Sequence, residues 1–198
     1  MTGRFTRPLF WLALALPALL MTADLLRGAA LPMDLLHPSG ELSVRLLVAA
    51  MLPGPLAGFF GPTRFLRGWL AVRRNIGVAA FGYAVLHLIF YIIDMGLLAA
   101  IADELALPSI WTGWLALLAM AGPAATSFNG AMRALGRHRW KAVQRLAYAV
   151  LTLALVHWWL LDWKWQPATL HLLPLITAWL LWTLGRRRDR QPEKGTPA

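Results

Sequence analysis

Apolar residues come in six long runs separated by short polar segments: Pro8–Ala23, Leu46–Thr63, Gly77–Ile93, Leu105–Met132, Leu146–Leu161 and Trp165–Gly185. The third continues past Asp94 to Ile101. Each run approaches the ~20 residues a helix needs to cross ~30 Å of hydrocarbon, with polar flanking residues reaching the interface. Backbone groups in lipid have to bond within their own segment, so each run is predicted to be helical. The expected fold is an all-α membrane protein, a six-transmembrane-helix bundle. Its helices are predicted over roughly 8–26, 43–62, 76–101, 107–128, 142–161 and 166–185. Tryptophans gather near the ends of the runs, as in Trp111, Trp114, Trp158, Trp159, Trp163 and Trp165, where an aromatic belt forms.

Composition agrees with a lipid environment. Of 198 residues, 59% are hydrophobic and 14% charged, with a mean hydropathy of +0.56. A soluble domain of this size has no means of hiding so much apolar surface. There is no cysteine, which excludes disulfides, thiolate metal sites and cysteine-ligated iron–sulfur clusters.

The net charge of +10 raises nucleic acid as a partner, but its distribution argues otherwise. With the N-terminus inside, the inner segments hold Arg4, Arg7, Arg64, Arg67, Arg73, Arg74, Arg133, Arg137, Arg139, Lys141, Arg145, Arg186, Arg187, Arg188, Arg190 and Lys194. Only Arg27, Arg45 and Lys164 remain outside, together with Asp24, Asp34, Glu41, Asp94, Asp103, Glu104 and Asp162. The positive-inside rule therefore selects cytoplasmic N- and C-termini, and no nucleic-acid partner is expected. The first run resembles a secretory signal, yet Met21-Thr22-Ala23-Asp24 lacks a small-x-small cleavage site, so it is read as the first span. The tail after Arg190 is expected to be disordered. No internal repeat, GxGxxG or Walker motif is evident, so any chemistry belongs to the helix bundle or to a partner.

Candidate chemistry centres on histidine. His37 and His138 fall in polar segments and read as solvated loop residues. His87 and His157 lie inside the third and fifth runs, where an ionisable side chain is costly and a functional reading is the default. Those two helices are predicted to be parallel in space, so the two imidazoles are candidates to face each other. Three readings stay open: both axial ligands of a b-type haem, structural histidines bonded to neighbouring helices, or a metal or proton site. Asp94, two turns beyond His87, reads as an interface marker that is also placed to orient a ligand. His171 reads as interfacial, with a third-ligand role as its alternative, and Tyr83 and Tyr91 read as packing.

Two groups of residues carry a family resemblance. One is Arg73-Arg74-Asn75-Ile76-Gly77 followed by Tyr83-Ala84-Val85-Leu86-His87-Leu88 and Tyr91. The other is Thr126-Ser127, Leu135-Gly136, Trp140, Arg145-Leu146, Tyr148 and His157. Together they resemble the MsrQ (YedZ) family, the haem-binding membrane subunit of the periplasmic methionine-sulfoxide reductase system. Broader relatives are the ferric-reductase-like membrane domains.

The resemblance implies that 1–198 is a single ferric-reductase-like transmembrane domain of the bacterial inner membrane. It implies one haem b with His87 and His157 as its ligands, flavin mononucleotide (FMN), and a quinone or cytoplasmic flavin reductase as donor. It also implies a periplasmic molybdopterin-containing reductase as partner, with this chain an electron-transfer subunit rather than a self-contained enzyme. The basic segments Arg64–Arg74 and Arg133–Lys141 read as topology signals, with a flavin-phosphate role as the alternative. Where the family has Leu-His-Arg-Leu, this chain has Val143-Gln144-Arg145-Leu146, so a second, inner haem ligated at that position is not expected here. Rival expectations are a ferric reductase with a different partner, or a non-redox membrane scaffold.

Overall fold

The computed structural model describes residues 3–161 and 165–188, and among these every regular element is an α-helix. In chain order they are α1 (Gly3–Leu26), α2 (Pro32–Met51), α3 (Pro53–Phe60), α4 (Arg64–Met95) and α5 (Leu98–Glu104), then α6 (Pro108–Ala125), α7 (Asn129–Gln144), α8 (Leu146–Leu161), α9 (Trp165–Leu170) and α10 (Leu173–Arg188). Among the described residues five stretches are long and apolar enough to cross a membrane. A sixth counts if α5 and α6, bent by 103° to one another, form one span. The chain is a multi-pass membrane protein, and its large exposed side chains, such as Leu12, Leu16, Leu19, Ile93 and Leu118, are those a lipid-facing surface requires.

Several predicted boundaries are corrected. The second helix begins at Pro32, eleven residues before the expected 43, because Pro32 occupies its first turn and the Asp34 carboxylate accepts the Leu31 N–H at 3.0 Å. Asp34, His37 and Glu41 are therefore helical, not loop residues. The predicted helix over 76–101 begins at Arg64, where the Thr63 hydroxyl accepts the Leu66 N–H at 3.3 Å, so the basic segment Arg64–Arg74 is helical too. It ends at Met95, because Gly96 takes φ 67° and turns the chain into α5. His138 sits on α7 rather than in a loop, and this helix breaks at Gly136, with φ 70°. The last run is divided into α9 and α10, with His171 in the turn between them. Asp162, Trp163, Lys164 and the tail after Arg190 lie outside the described residues.

Two antiparallel hairpins form the centre. The most extensive helix pairings are α2 with α4 and α6 with α8, and each pair is joined at the arginine-rich end of the molecule. Contacts of α4 with α6 and of α2 with α8 bring the hairpins together around Val44, Leu47, Val48, Ala80, Met120, Val150 and Leu151. α1 is peripheral. It is pinned by Tyr83, whose hydroxyl donates to Leu14 O at 2.8 Å and accepts from Ala18 N at 3.1 Å. Those two backbone groups are one helical turn apart, so the hydroxyl inserts into the ladder of α1 next to Pro17. The expectation that Tyr83 only packs is thus corrected.

Candidate functional site

Each hairpin builds one histidine niche, and the two niches are alike. His87 on α4 faces α2, where its Nδ1 is 2.9 Å from the Leu36 carbonyl oxygen and 3.4 Å from Ser39 Oγ. His157 on α8 faces α6, where its Nδ1 meets the Ser109 carbonyl oxygen. A carbonyl only accepts, so Nδ1 carries the hydrogen in both rings and Nε2 is left with its lone pair. Among the described residues neither Nε2 has a hydrogen-bond partner.

Behind each imidazole stands a glycine one turn beyond the accepting carbonyl, Gly40 on α2 and Gly113 on α6. A Cβ at Gly40 would lie 3.1 Å from His87 Nδ1, and one at Gly113 would lie 2.7 Å from His157 Cε1. The residue before each glycine is a buried hydroxyl that bonds back to its own helix. Ser39 donates to Leu35 O at 2.6 Å, and Thr112 donates to Pro108 O at 2.7 Å. Each hydroxyl also lies near the carbonyl that accepts from the histidine, at 3.0 Å for Ser39 and Leu36 and 2.9 Å for Thr112 and Ser109. Small side chains let the helix backbones approach within membranes, and here the approach brings an imidazole onto a backbone carbonyl.

The two niches open into one cavity of about 520 Å³ between the hairpins, lined by both histidines. Across it the ring centroids are 6.2 Å apart and the ring planes cross at 89°. Two imidazoles that bind one metal through nitrogens at about 2 Å have centroids roughly 6 Å apart, so the separation fits a shared metal and is too wide for a direct hydrogen bond. The inner walls are apolar, with Val44, Leu47, Leu88, Met120, Val150 and Ala154. The opposite end carries His37, Glu41, Tyr91, Asp94 and Glu104. Volume and lining suit a large, mostly apolar cofactor with a polar edge. Among the described residues no three His, Asp or Glu side chains cluster as a conventional metal site.

The other candidates separate. Asp94 stands with His87 on the cavity wall, as their spacing predicts. Tyr91 donates to Glu104 Oε2 at 2.7 Å and so holds α5 against α4, rather than packing only. His171 does not line the cavity; it bonds Arg45 and the Pro167 carbonyl. Gln144 donates to Pro123 O at 3.1 Å and Thr126 Oγ1 at 3.0 Å, tying the end of α7 to α6, and is not among the residues that line the cavity. Gly40 and Gly113 escaped sequence reasoning. Their available signal was a repeated hydroxyl–glycine pair, Ser39-Gly40 and Thr112-Gly113, each on the helix that opens a histidine-bearing hairpin.

The two hairpins thus hold a pair of half-buried imidazoles across one cavity in a multi-pass membrane protein, and residues 39–156 match the family described as the ferric reductase like transmembrane component. The chain is 36% identical over 160 residues to the protein-methionine-sulfoxide reductase heme-binding subunit MsrQ of Cronobacter sakazakii, covering 76% of this chain and 72% of that one. It is 32% identical over 161 residues to the MsrQ of Brucella ovis, covering 79% and 70%. No solved structure matches. The chain belongs to the MsrQ family of the ferric-reductase-like transmembrane proteins.

Proposed function

We propose that this chain is the haem b-containing electron-transfer subunit of a methionine-sulfoxide-reducing system in a bacterial inner membrane, with both termini in the cytoplasm. The observation that carries the proposal is the pair His87 and His157, facing across one cavity with Nδ1 engaged and Nε2 free. The relatives' description as haem-binding subunits supports the same reading. Haem b, when bound, would be held by His87 and His157 without any cysteine attachment and would supply a one-electron carrier.

The chain's own residues do the rest. The Leu36 and Ser109 carbonyls fix the ring rotations, choose the tautomer and make each Nε2 a better donor to iron. Gly40 and Gly113 provide the room for the rings. Val44, Leu88 and Ala154 would keep water from the bound cofactor, and at the polar end His37 would offer an N–H to its carboxylates while Tyr91 stays committed to Glu104. Electrons come from a quinone or a cytoplasmic flavin donor and leave to a periplasmic molybdopterin-containing reductase, which performs the substrate chemistry. FMN, if held by this chain, belongs at the arginine-rich end, where Arg73, Arg74 and Arg133 offer phosphate contacts.

The test is an absorption spectrum of the detergent-purified protein, oxidised and dithionite-reduced, with a pyridine haemochrome assay. The expected result is one haem b per chain in the natural protein and loss of the Soret band in His87→Ala and in His157→Ala. Full haem retention by both variants overturns the assignment of the ligands.

A further inference from the structure

Besides the histidine cavity, the bundle carries a groove of about 400 Å³ on its outer surface, between α8 and α10. One wall is Leu151 and Thr152, the other Leu175, Ile176 and Leu180, and Tyr148 and Trp179 meet across it. Their rings stand edge to face with centroids 5.5 Å apart. α10 packs chiefly on α3, where Gly58 makes room for the Trp182 ring and Gly185 for Phe59, so little of it reaches α8.

The two lining hydroxyls are spent on their own helices. Thr152 Oγ1 donates to Tyr148 O at 3.1 Å, and Thr183 Oγ1 donates to Leu180 O at 2.9 Å. An occupant therefore meets an apolar surface along most of the groove. A second helix suits it poorly, because no glycine or alanine lines the groove and close helix approach in membranes relies on such residues. A hydrocarbon chain suits it well.

The groove's arginine-rich end is different. Arg145 has φ −69° and ψ −17°, so the helical path of α8 runs back through it, one turn before Tyr148. Arg186 lies one turn beyond Thr183 on α10. Its guanidinium carbon stands 4.8 Å from the Trp182 ring centroid, a stacking that occupies the planar face and leaves the in-plane N–H donors free. Both arginines are exposed, and among the described residues neither has an ion-pair partner. The Tyr148 hydroxyl and the Trp179 indole N–H have no hydrogen-bond partner among the described residues either.

From the membrane face inward the groove thus offers two cationic groups, then two neutral donors one to two turns deeper, then apolar walls. A phospholipid presents the matching order of phosphate, ester carbonyls and acyl chain. The described acids all lie toward the opposite end of the molecule, so an ammonium head group finds no partner here and an anionic one is selected.

We propose that the groove between α8 and α10 is a binding site for one anionic phospholipid, phosphatidylglycerol. Arg145 and Arg186 hold its phosphate, Tyr148 and Trp179 donate to its ester carbonyls, and one acyl chain lies between Leu151 and Ile176. The lipid fills the wedge that α10 leaves beside α8, the helix that carries His157. This site and the haem reading do not depend on each other.

The experiment is native mass spectrometry of the full chain released from detergent, with phosphatidylglycerol added in steps. The expected result is saturation at one retained lipid per chain. Arg145→Gln combined with Arg186→Gln lowers the retained fraction at least fivefold. Thr152→Phe, which plugs the groove and keeps both arginines, gives a similar loss, whereas Arg137→Gln combined with Arg139→Gln leaves retention unchanged. If the groove variants do not accumulate, phosphatidylglycerol with a diazirine in its acyl chain is crosslinked to the natural protein. The expected labels then fall on residues 148–152 and 175–183. Retention that climbs without saturating is annular lipid only and overturns the proposal, as does equal retention of phosphatidylethanolamine or labelling confined to other helices.

Discussion

At Gly113 two small effects of opposite sign compete. Alanine improves on glycine in a helix by about 1 kcal/mol. Its Cβ here would stand 2.7 Å from His157 Cε1 and 2.8 Å from Nδ1, a clash that has to move the ring off the Ser109 carbonyl. Forcing atoms into a packed site costs about 1–3 kcal/mol, so the clash outweighs the propensity. At Gly40 the nearest approach is 3.1 Å and the two effects come near to cancelling. Gly113→Ala is therefore expected to lose most of its haem on purification, and Gly40→Ala to keep more than half. Parallel haemochrome assays check this, and equal retention by the two variants would show that these glycines do not set the ring positions.

At the scale of elements, the junction of α6, α7 and α8 explains what Gln144 does in place of the family's histidine. Its side-chain amide bridges Pro123 O and Thr126 Oγ1, and the neighbouring Trp140 donates from Nε1 to Thr126 O at 2.9 Å. α6 ends at Ala125, so its last carbonyls have no partner further along the helix; Gln144, together with Ser127 Oγ, supplies donors to Pro123 O, and Trp140 supplies one to Thr126 O just beyond. Between this junction and the cavity the bundle is filled. Beyond the floor of Leu47, Met120 and Val150 it closes with Val48, Ala80 and Leu151, and Ser43 Oγ donates to Ala80 O at 2.9 Å. Restoring the family residue with Gln144→His is expected to leave the stoichiometry at one haem per chain, since the change adds a ligand but no room. A second haem in the haemochrome assay of that variant would contradict the packing argument.

Over the whole molecule, charge divides the two ends. The described acids Asp24, Asp34, Glu41, Asp94, Asp103 and Glu104 lie toward one end. Arg64, Arg67, Arg73, Arg74, Arg133, Arg137, Arg139, Lys141 and Arg145 lie toward the other. Arg27 and Arg45, the described cations of the acidic end, are each paired, with Asp24 at 2.9 Å and Glu41 at 2.6 Å. A basic residue near an anionic leaflet gains about 1 kcal/mol, so the unopposed arginines dominate orientation. Because the chain has no cysteine, single cysteines report sidedness cleanly. Leu98→Cys, at a position 81% exposed on α5, is expected to react with an impermeant maleimide in intact cells. His138→Cys on α7 is expected to react only after permeabilisation. The reverse pattern would invert the proposed topology.

Sequence alone determined the class of this protein, because hydropathy is a sum over neighbours in the chain and lipid imposes helices on any long apolar run. It also singled out His87 and His157, since an ionisable group inside such a run stands out without reference to any fold. Helix ends were less legible. The helix starts at Pro32 and Arg64 lie in polar segments where hydropathy is silent, and their signals were the local ones of Pro32, Asp34 and Thr63. Only the tertiary structure decided which residues serve the histidines. The Leu36 and Ser109 carbonyls and the two glycines stand more than forty residues from the rings they hold, and a backbone carbonyl has no signature in a side-chain sequence. The pairing of Arg45 with His171, 126 residues apart, was hidden for the same reason: partners of this kind are chosen by helix packing, which no local pattern encodes.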